Sequence, residues 1–218
     1  MKNEKLRANV LGVRVISNVS PGLAEKLKLG PRHKSLGIIT ADSDDVTYTA
    51  LDEATKDADV EVVYARSMYA GAGNASTKLA GEVIGILAGP SPAEVKSGLK
   101  AALNFIANGA CFVSANDDNS IVYYAHTVSR TGSYLSQIAG ITEGDALAYL
   151  IAPPLESIYG LDAAMKAADV ELVEFFGPPS ETNYGGGLLT GSQSACYAAC
   201  SAFAEAIRAV ADRPLEVE

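Results

Sequence analysis

Apolar positions along the chain follow two alternating rhythms. Short runs rich in Val, Ile, Leu and Ala read as strands, and between them lie segments whose apolar residues return every three to four positions, as on one face of a helix. In the first half, residues 10–19 predict a strand and residues 21–29 a short helix with Pro21 in its first turn. Residues 35–41 predict a second strand, and residues 44–58 a helix with Val46, Ala50, Ala54 and Ala58 on one side. Residues 60–65 read as a strand, and residues 71–76 as a glycine-rich loop. Residues 82–87 read as another strand, and residues 92–108 as a helix with Val95, Leu99, Leu103 and Ile106 on its apolar side. The second half predicts strands at 121–128, 146–151 and 170–175, helices at 133–139, 154–168 and 194–210, and a loop at 177–187. The fold class expected is α/β (α+β), with helices covering a mixed sheet.

The two halves are copies of one another. Residues 50–63 read ALDEATKDADVEVV and residues 160–173 read GLDAAMKAADVELV, with nine of fourteen positions identical at an offset of 110. Leu51/Leu161, Asp52/Asp162 and Lys56/Lys166 are among the matches. Upstream, Ser17/Ser129 and Leu23/Leu135 match at an offset of 112. Gly81/Gly191 and Ala88/Ala198 extend the offset of 110 downstream, which predicts intervening loops of equal length. Residues 116–120, Asn-Asp-Asp-Asn-Ser, are turn chemistry between the halves. Domains are therefore expected at 1–113 and 114–218.

Composition narrows the function. A net charge of −9 on 218 residues disfavours nucleic acid and anionic membrane surfaces. Neither a signal-peptide core nor a run of about 18 apolar residues is found. The three cysteines, Cys111, Cys196 and Cys200, are too few for a disulfide framework and point to the cytoplasm. Cys196 and Cys200 lie four apart in a helical stretch without a nearby histidine, so buried packing is expected of them.

Candidate chemistry concentrates in the acidic run Asp42-Ser43-Asp44-Asp45. Such a run explains itself as a helix start, with Asp42 or Ser43 accepting backbone N–H bonds and carboxylates at the positive helix end. The other copy, however, begins the same helix with Ala152-Pro153-Pro154-Leu155, so the acids serve a further purpose. Glu82 stands opposite Ser192 at the offset of 110 and is likewise an acid of one copy only. Enzymatic readings find little support. His33 and His126 are isolated, and Ser129, Ser133 and Ser192 lack a Gly-x-Ser-x-Gly context. No phosphate-binding or dinucleotide glycine fingerprint appears. The chain is read as a non-enzyme.

The segments SLGIITADSDDVTYTALDEATKDADVEVVYARSMYAGAG, KLAGEV, HTVSRTGSYLS, APPLESIYG, PPSETNY and LLTGSQSAC together resemble the EutL family of ethanolamine-utilisation microcompartment shell proteins, over about residues 13–211. The resemblance implies two tandem, circularly permuted bacterial-microcompartment domains. It implies a homotrimer that mimics a hexagonal tile and packs edge to edge with other shell proteins in a cytoplasmic compartment shell. Asp44, Asp45 and Glu82 map onto an acidic small pore that binds ethanolamine, with a backbone acceptor near Phe112 for its hydroxyl and Thr182 and Asn183 lining the pocket. The loops 67–77 and 177–187 map onto gates of a central pore, for which Gly71, Gly73, Gly185, Gly186 and Gly187 supply backbone freedom. Glu156 is a candidate for opportunistic metal binding, zinc included, and cobalamin is implied as a larger cofactor that binds or passes. The alternative reading is a soluble small-molecule sensor for amines, built from the same duplicated unit.

Overall fold

Each half of the chain folds the predicted alternation into a small sheet with helices on one face. The computed structural model describes residues 1–67, 83–178, 180 and 182–216. After a two-residue strand β1 (Lys5–Leu6), the first half runs β2 (Val10–Ile16), α1 (Pro21–Lys26), β3 (Ser35–Ala41), α2 (Asp44–Asp57), β4 (Glu61–Ser67), β5 (Val83–Gly89) and α3 (Pro92–Asn108). The second half runs β6 (Phe112–Ser114), β7 (Val122–Val128), α4 (Ser133–Ala139), β8 (Ala146–Ala152), α5 (Pro154–Ala167), β9 (Val170–Phe176), β10 (Gly185–Gly191) and α6 (Gln193–Asp212).

The first-half sheet has the order β2-β3-β5-β4, and the second-half sheet β1-β6-β7-β8-β10-β9. Its last four strands repeat the first-half order member for member. The expectation of mixed sheets is corrected, because the described strand pairs are antiparallel throughout. The helical crossover from β3 to β4 does join strands of one direction, as a crossover must. The following strand, β5, then inserts between them and runs against both. The same insertion puts β10 between β8 and β9.

Contacts group the chain into two units. One comprises Arg7–Ala110 with Gly132–Leu135, and the other Met1–Leu6, Cys111–Thr131 and Ser136–Glu218. β1 accounts for the first six residues: it pairs with β6 at Lys5↔Val113 and Leu6↔Phe112, so the start of the chain and residues 111–113 join the later half.

In the first-half unit α2 and α3 pack together on the sheet. Val46, Ala50 and Ala54 from α2 and Val95, Leu99 and Ile106 from α3 are buried with Ile39, Leu51 and Leu87, while Leu36, Ile86 and Ala88 form a separate cluster with Leu27 and Leu29. In the other unit α5 and α6 pack likewise, around Leu150, Leu161, Leu189, Cys196, Cys200 and Phe203. Burial pushes both thiols up, Cys200 to about 11, so they are neutral packing groups as their helical spacing suggested.

Two further expectations are corrected. The equal loop length fails: residues 68–82 separate β4 from β5, but only 177–184 separate β9 from β10. Beyond these loops the copies align at about 102, Gly89 with Gly191, so Glu82 is not the counterpart of Ser192. The predicted loop 177–187 also ends early, because Gly185, Gly186 and Gly187 lie in β10, buried and paired with Ala152, Ile151 and Leu150. Their lack of side chains serves close approach, not hinge motion. A Cβ on Gly186 would lie 1.9 Å from the Leu150 carbonyl oxygen.

One polar contact ties distant segments inside the first-half unit. Asp52 of α2 has no exposed surface, and its carboxylate accepts from Gly132 N and Leu135 N, both at 2.8 Å. Ser133 N donates to Thr55 Oγ1 at 3.1 Å beside it. A Cβ on Gly132 would stand 2.2 Å from that Thr55 oxygen, so only glycine lets this chain pass so near the helix. Burial raises the Asp52 carboxyl above its ordinary range and outweighs the Gly132 and Leu135 amides and Lys56, which lower it.

Removing the acceptor in Asp52→Ala strands two buried amides and should lower stability in urea unfolding by roughly 2–4 kcal/mol. The sign of the pH dependence follows from the raised folded-state pKa. The group's contribution is fully present below the unfolded value of about 3.9 and is lost as pH rises through the folded value. Relative to Asp52→Asn, the wild type should therefore lose stability as pH increases from about 4; a difference independent of pH would show that burial does not control this carboxyl. Gly186→Ala drives a methyl into β8 backbone and should cost roughly 3 kcal/mol or more in the same measurement.

Candidate functional site

The acidic run begins α2, but its members have separate tasks. Asp42 does not cap the helix: its Oδ1 accepts from Asn9 N at 2.6 Å and its Oδ2 from Asn9 Nδ2 at 2.7 Å, which fastens the chain just before β2. Ser43 occupies the N-cap position without a side-chain cap bond, and its Oγ is buried with no hydrogen-bond partner among the described residues. Neither residue caps in the way expected from sequence. Asp44 accepts from Asp45 N at 2.9 Å through Oδ1 and from Ser67 Oγ at 2.8 Å through Oδ2. Ser67 is the last residue of β4, so the strand end orients the first helix carboxylate. Asp45 is only 8% exposed. By contrast, α3 and α6 begin with serines that do cap: Ser91 Oγ accepts from Glu94 N and Ser192 Oγ from Ala195 N. Glu82, Gly71 and Gly73 lie outside the described residues.

Phe112, Thr182 and Asn183 belong to the other unit. Phe112 begins β6, and its ring meets Tyr124 at 5.4 Å and Tyr184 at 5.9 Å between centroids. The structure thus brings Phe112 beside the 177–184 loop across 72 positions of sequence. Thr182 Oγ1 lies 3.3 Å from Ser180 Oγ and accepts from Tyr184 N at 3.3 Å, while Asn183 is exposed. The aromatic series continues through Tyr124–Tyr149 and Tyr149–Phe176. The sequence placed Ser67 in the gating loop, whereas it ends β4 beside Asp44, and it did not show this aromatic series. The only available signal was aromatic residues at strand positions, and cross-strand neighbours are not visible without the register.

Glu156 lies in the first turn of α5, partly exposed. Among the described residues no three His, Cys, Asp or Glu side chains gather as a metal site, so Glu156 is joined by no such set. His33 is buried, with Nε2 3.5 Å from Glu61 Oε1. A cavity of about 1060 Å³ opens in the second-half unit between β7 and α6, lined by Tyr123, His126, Gln193, Tyr197, Glu205 and Arg208 among others. Arg208 donates to Tyr123 Oη at 2.9 Å, and Gln193 to Ser129 Oγ at 3.0 Å. The acids of α2 have no part in it.

Comparison with known proteins agrees with the duplicated architecture. The BMC domain family model matches residues 35–117. The bacterial microcompartment shell protein EutL of Clostridium perfringens is 75% identical over 99% of this chain and 99% of its own length. EutL of Salmonella typhimurium is 58% identical over 97% of this chain and 96% of its own. The crystal structure of the ethanolamine utilisation protein EutL from Leptotrichia buccalis superposes with a TM-score of 0.98 at 69% identity, covering both chains completely. A trimeric bacterial microcompartment shell protein, PduB, shares the fold at a TM-score of 0.77 and 23% identity, over 94% of this chain and 89% of that one. A duplicated four-stranded unit with the same strand order in both copies, matched end to end by these relatives, assigns the chain to the EutL family of bacterial microcompartment shell proteins.

Proposed function

We propose that three copies of this chain close into a six-unit ring, a pseudohexagonal tile of the cytoplasmic microcompartment shell that surrounds ethanolamine-degrading enzymes. The observation that carries the reading is the pair of units with identical strand order in one chain, β2-β3-β5-β4 and β7-β8-β10-β9. Three chains then supply the six similar units of a hexagonal tile. The trimeric relative with the same fold supports this count. A tile performs its function through shape.

Within the ring, Asp44, Asp45 and Glu82 are proposed to take the ammonium group of ethanolamine, which is charged at neutral pH because such amines titrate near 10. Phe112, Thr182 and Asn183 are the residues we assign to its hydroxyl end in the assembled ring. In support, Asp44 and Asp45 stand where the other copy has Pro154 and Leu155, and Asp44 is already oriented by Ser67. Attraction of each carboxylate for the cation amounts to roughly 1–4 kcal/mol, depending on how much water is excluded. Affinity near millimolar, about 4 kcal/mol, suits a pore that must release what it admits. Residues 68–82 and 177–184 follow β4 and β9 at the same place in the two copies and are proposed to gate a central pore wide enough for a cofactor such as cobalamin.

Sedimentation velocity should give the mass of a trimer; a monomer binding amines tightly would instead establish the sensor reading. Calorimetry with ethanolamine should show binding weakened roughly tenfold in Asp45→Asn. Unchanged binding in that variant would remove α2 from the ligand site.

A further inference from the structure

The outward face of α2 is covered, whereas the same face of α5 is open. On α2, Thr49 and Asp52 have no exposed surface, and Tyr48 meets Tyr134 at 6.2 Å between ring centroids. The covering chain is Gly132–Leu135, grouped with the first-half unit and held by the Asp52 carboxylate through two backbone amides. At the offset of 110, the residues of α5 that correspond to Asp45, Tyr48, Thr49 and Thr55 are Leu155, Ile158, Tyr159 and Met165. They are 61%, 46%, 56% and 38% exposed. Asp162 stands where Asp52 stands, and in the absence of a covering segment it holds Lys166 at 2.6 Å on the surface. Large apolar side chains grouped on one exposed helix face are unusual for a surface that stays in water.

The counterpart of the covering segment is open as well. At the offset of 112, Gly132–Leu135 corresponds to residues 20–23, and all four are exposed. Leu135 is 1% exposed, but Leu23 is 40% exposed. Ser20 makes no side-chain cap bond in its own helix, and the Leu23 amide, in the first turn, has no intrahelical acceptor. One chain therefore carries one satisfied pair of face and segment, plus one open face and one open segment of the same kinds. Head-to-tail contacts of this type close into a ring when the rotation from one copy to the next closes.

We infer that the exposed face of α5 seats residues 20–23 of a neighbouring copy, with Asp162 accepting from that segment as Asp52 accepts from Gly132 and Leu135. The inference rests on the trimeric tile proposed above and names the contact that holds it together. Leu155, Ile158, Tyr159 and Met165 lose water against Leu23 and its surroundings, and the Asp162 carboxylate accepts the Leu23 amide. Ser20 carries a side chain where Gly132 has none, so this end seats less closely, and the Ser20 hydroxyl donates in place of the Gly132 amide.

The test uses the full chain, by sedimentation velocity on wild type, Asp162→Ala and Ile158→Glu, together with amide hydrogen exchange on wild type. Both substituted residues are exposed, so circular dichroism should show an unchanged fold. Expected are a wild-type trimer, slowed exchange at residues 20–23 and along α5, and association weakened roughly tenfold or more in each variant. A trimer that persists undiminished in both variants, with fast exchange at residues 20–23, overturns this interface and leaves the tile standing. A wild-type assembly that is not trimeric but dissolves in both variants keeps the interface and removes the tile. A wild-type monomer overturns both.

Discussion

A buried carboxylate that receives two backbone amides organises the first-half unit. Asp52 lies on α2 in the first copy of the repeat, and Gly132 and Leu135 come from the second half of the chain. An ionised group without exposed surface is unfavourable unless its oxygens are satisfied, and here each oxygen has an amide. The arrangement constrains its surroundings: glycine is required at 132 by the closeness of Thr55, and Leu135 is drawn into the core behind it. Tyr134 is brought onto Tyr48 by the same turn.

Duplication explains most of the remaining architecture, and divergence explains the chemistry. Both copies use a helical crossover followed by an inserted antiparallel strand, a solution fixed by the apolar face of one helix pair on one sheet. Where packing does not restrict the residues, the copies differ. α2 begins with Asp44-Asp45 and α5 with Pro154-Leu155, although both start immediately after the same strand. The shorter link between β9 and β10 leads directly into Gly185–Gly187, where glycine lets β10 approach the β8 backbone. In a shell protein such differences matter more than the core, because assembly depends on the surfaces that the repeat leaves free.

Side-chain chemistry and assembly are connected through α2 and α5. Asp44, at the start of α2, is oriented from within its own unit, by Ser67 at the end of β4. Asp52, two turns further along that helix, is committed to structure. Asp162, at the equivalent place on α5, is exposed and paired with Lys166. The same residue type at equivalent positions thus has two environments, and only the neighbouring segment distinguishes them.

The sequence by itself determined the duplication, the alternation of the longer strands and helices, and the packing faces of α2 and α3. These depend on local periodicity and on self-comparison, and 35–41, 92–108 and 133–139 appear in the structure with the bounds the pattern predicts. It also singled out Asp44 and Asp45, because the repeat shows that the helix starts without them. Only tertiary structure decided strand direction, the strand β10 hidden in a glycine run, and the pairing of β1 with β6. Glycine removes the apolar alternation by which a strand is recognised, and two-residue strands carry no periodicity at all. The same holds for Ser67 beside Asp44, Tyr184 beside Phe112 and Gly132 beside Asp52. Each pair joins residues far apart in sequence, and hydrogen bonds or ring contacts between such residues follow from how strands, helices and connecting segments pack rather than from any local pattern.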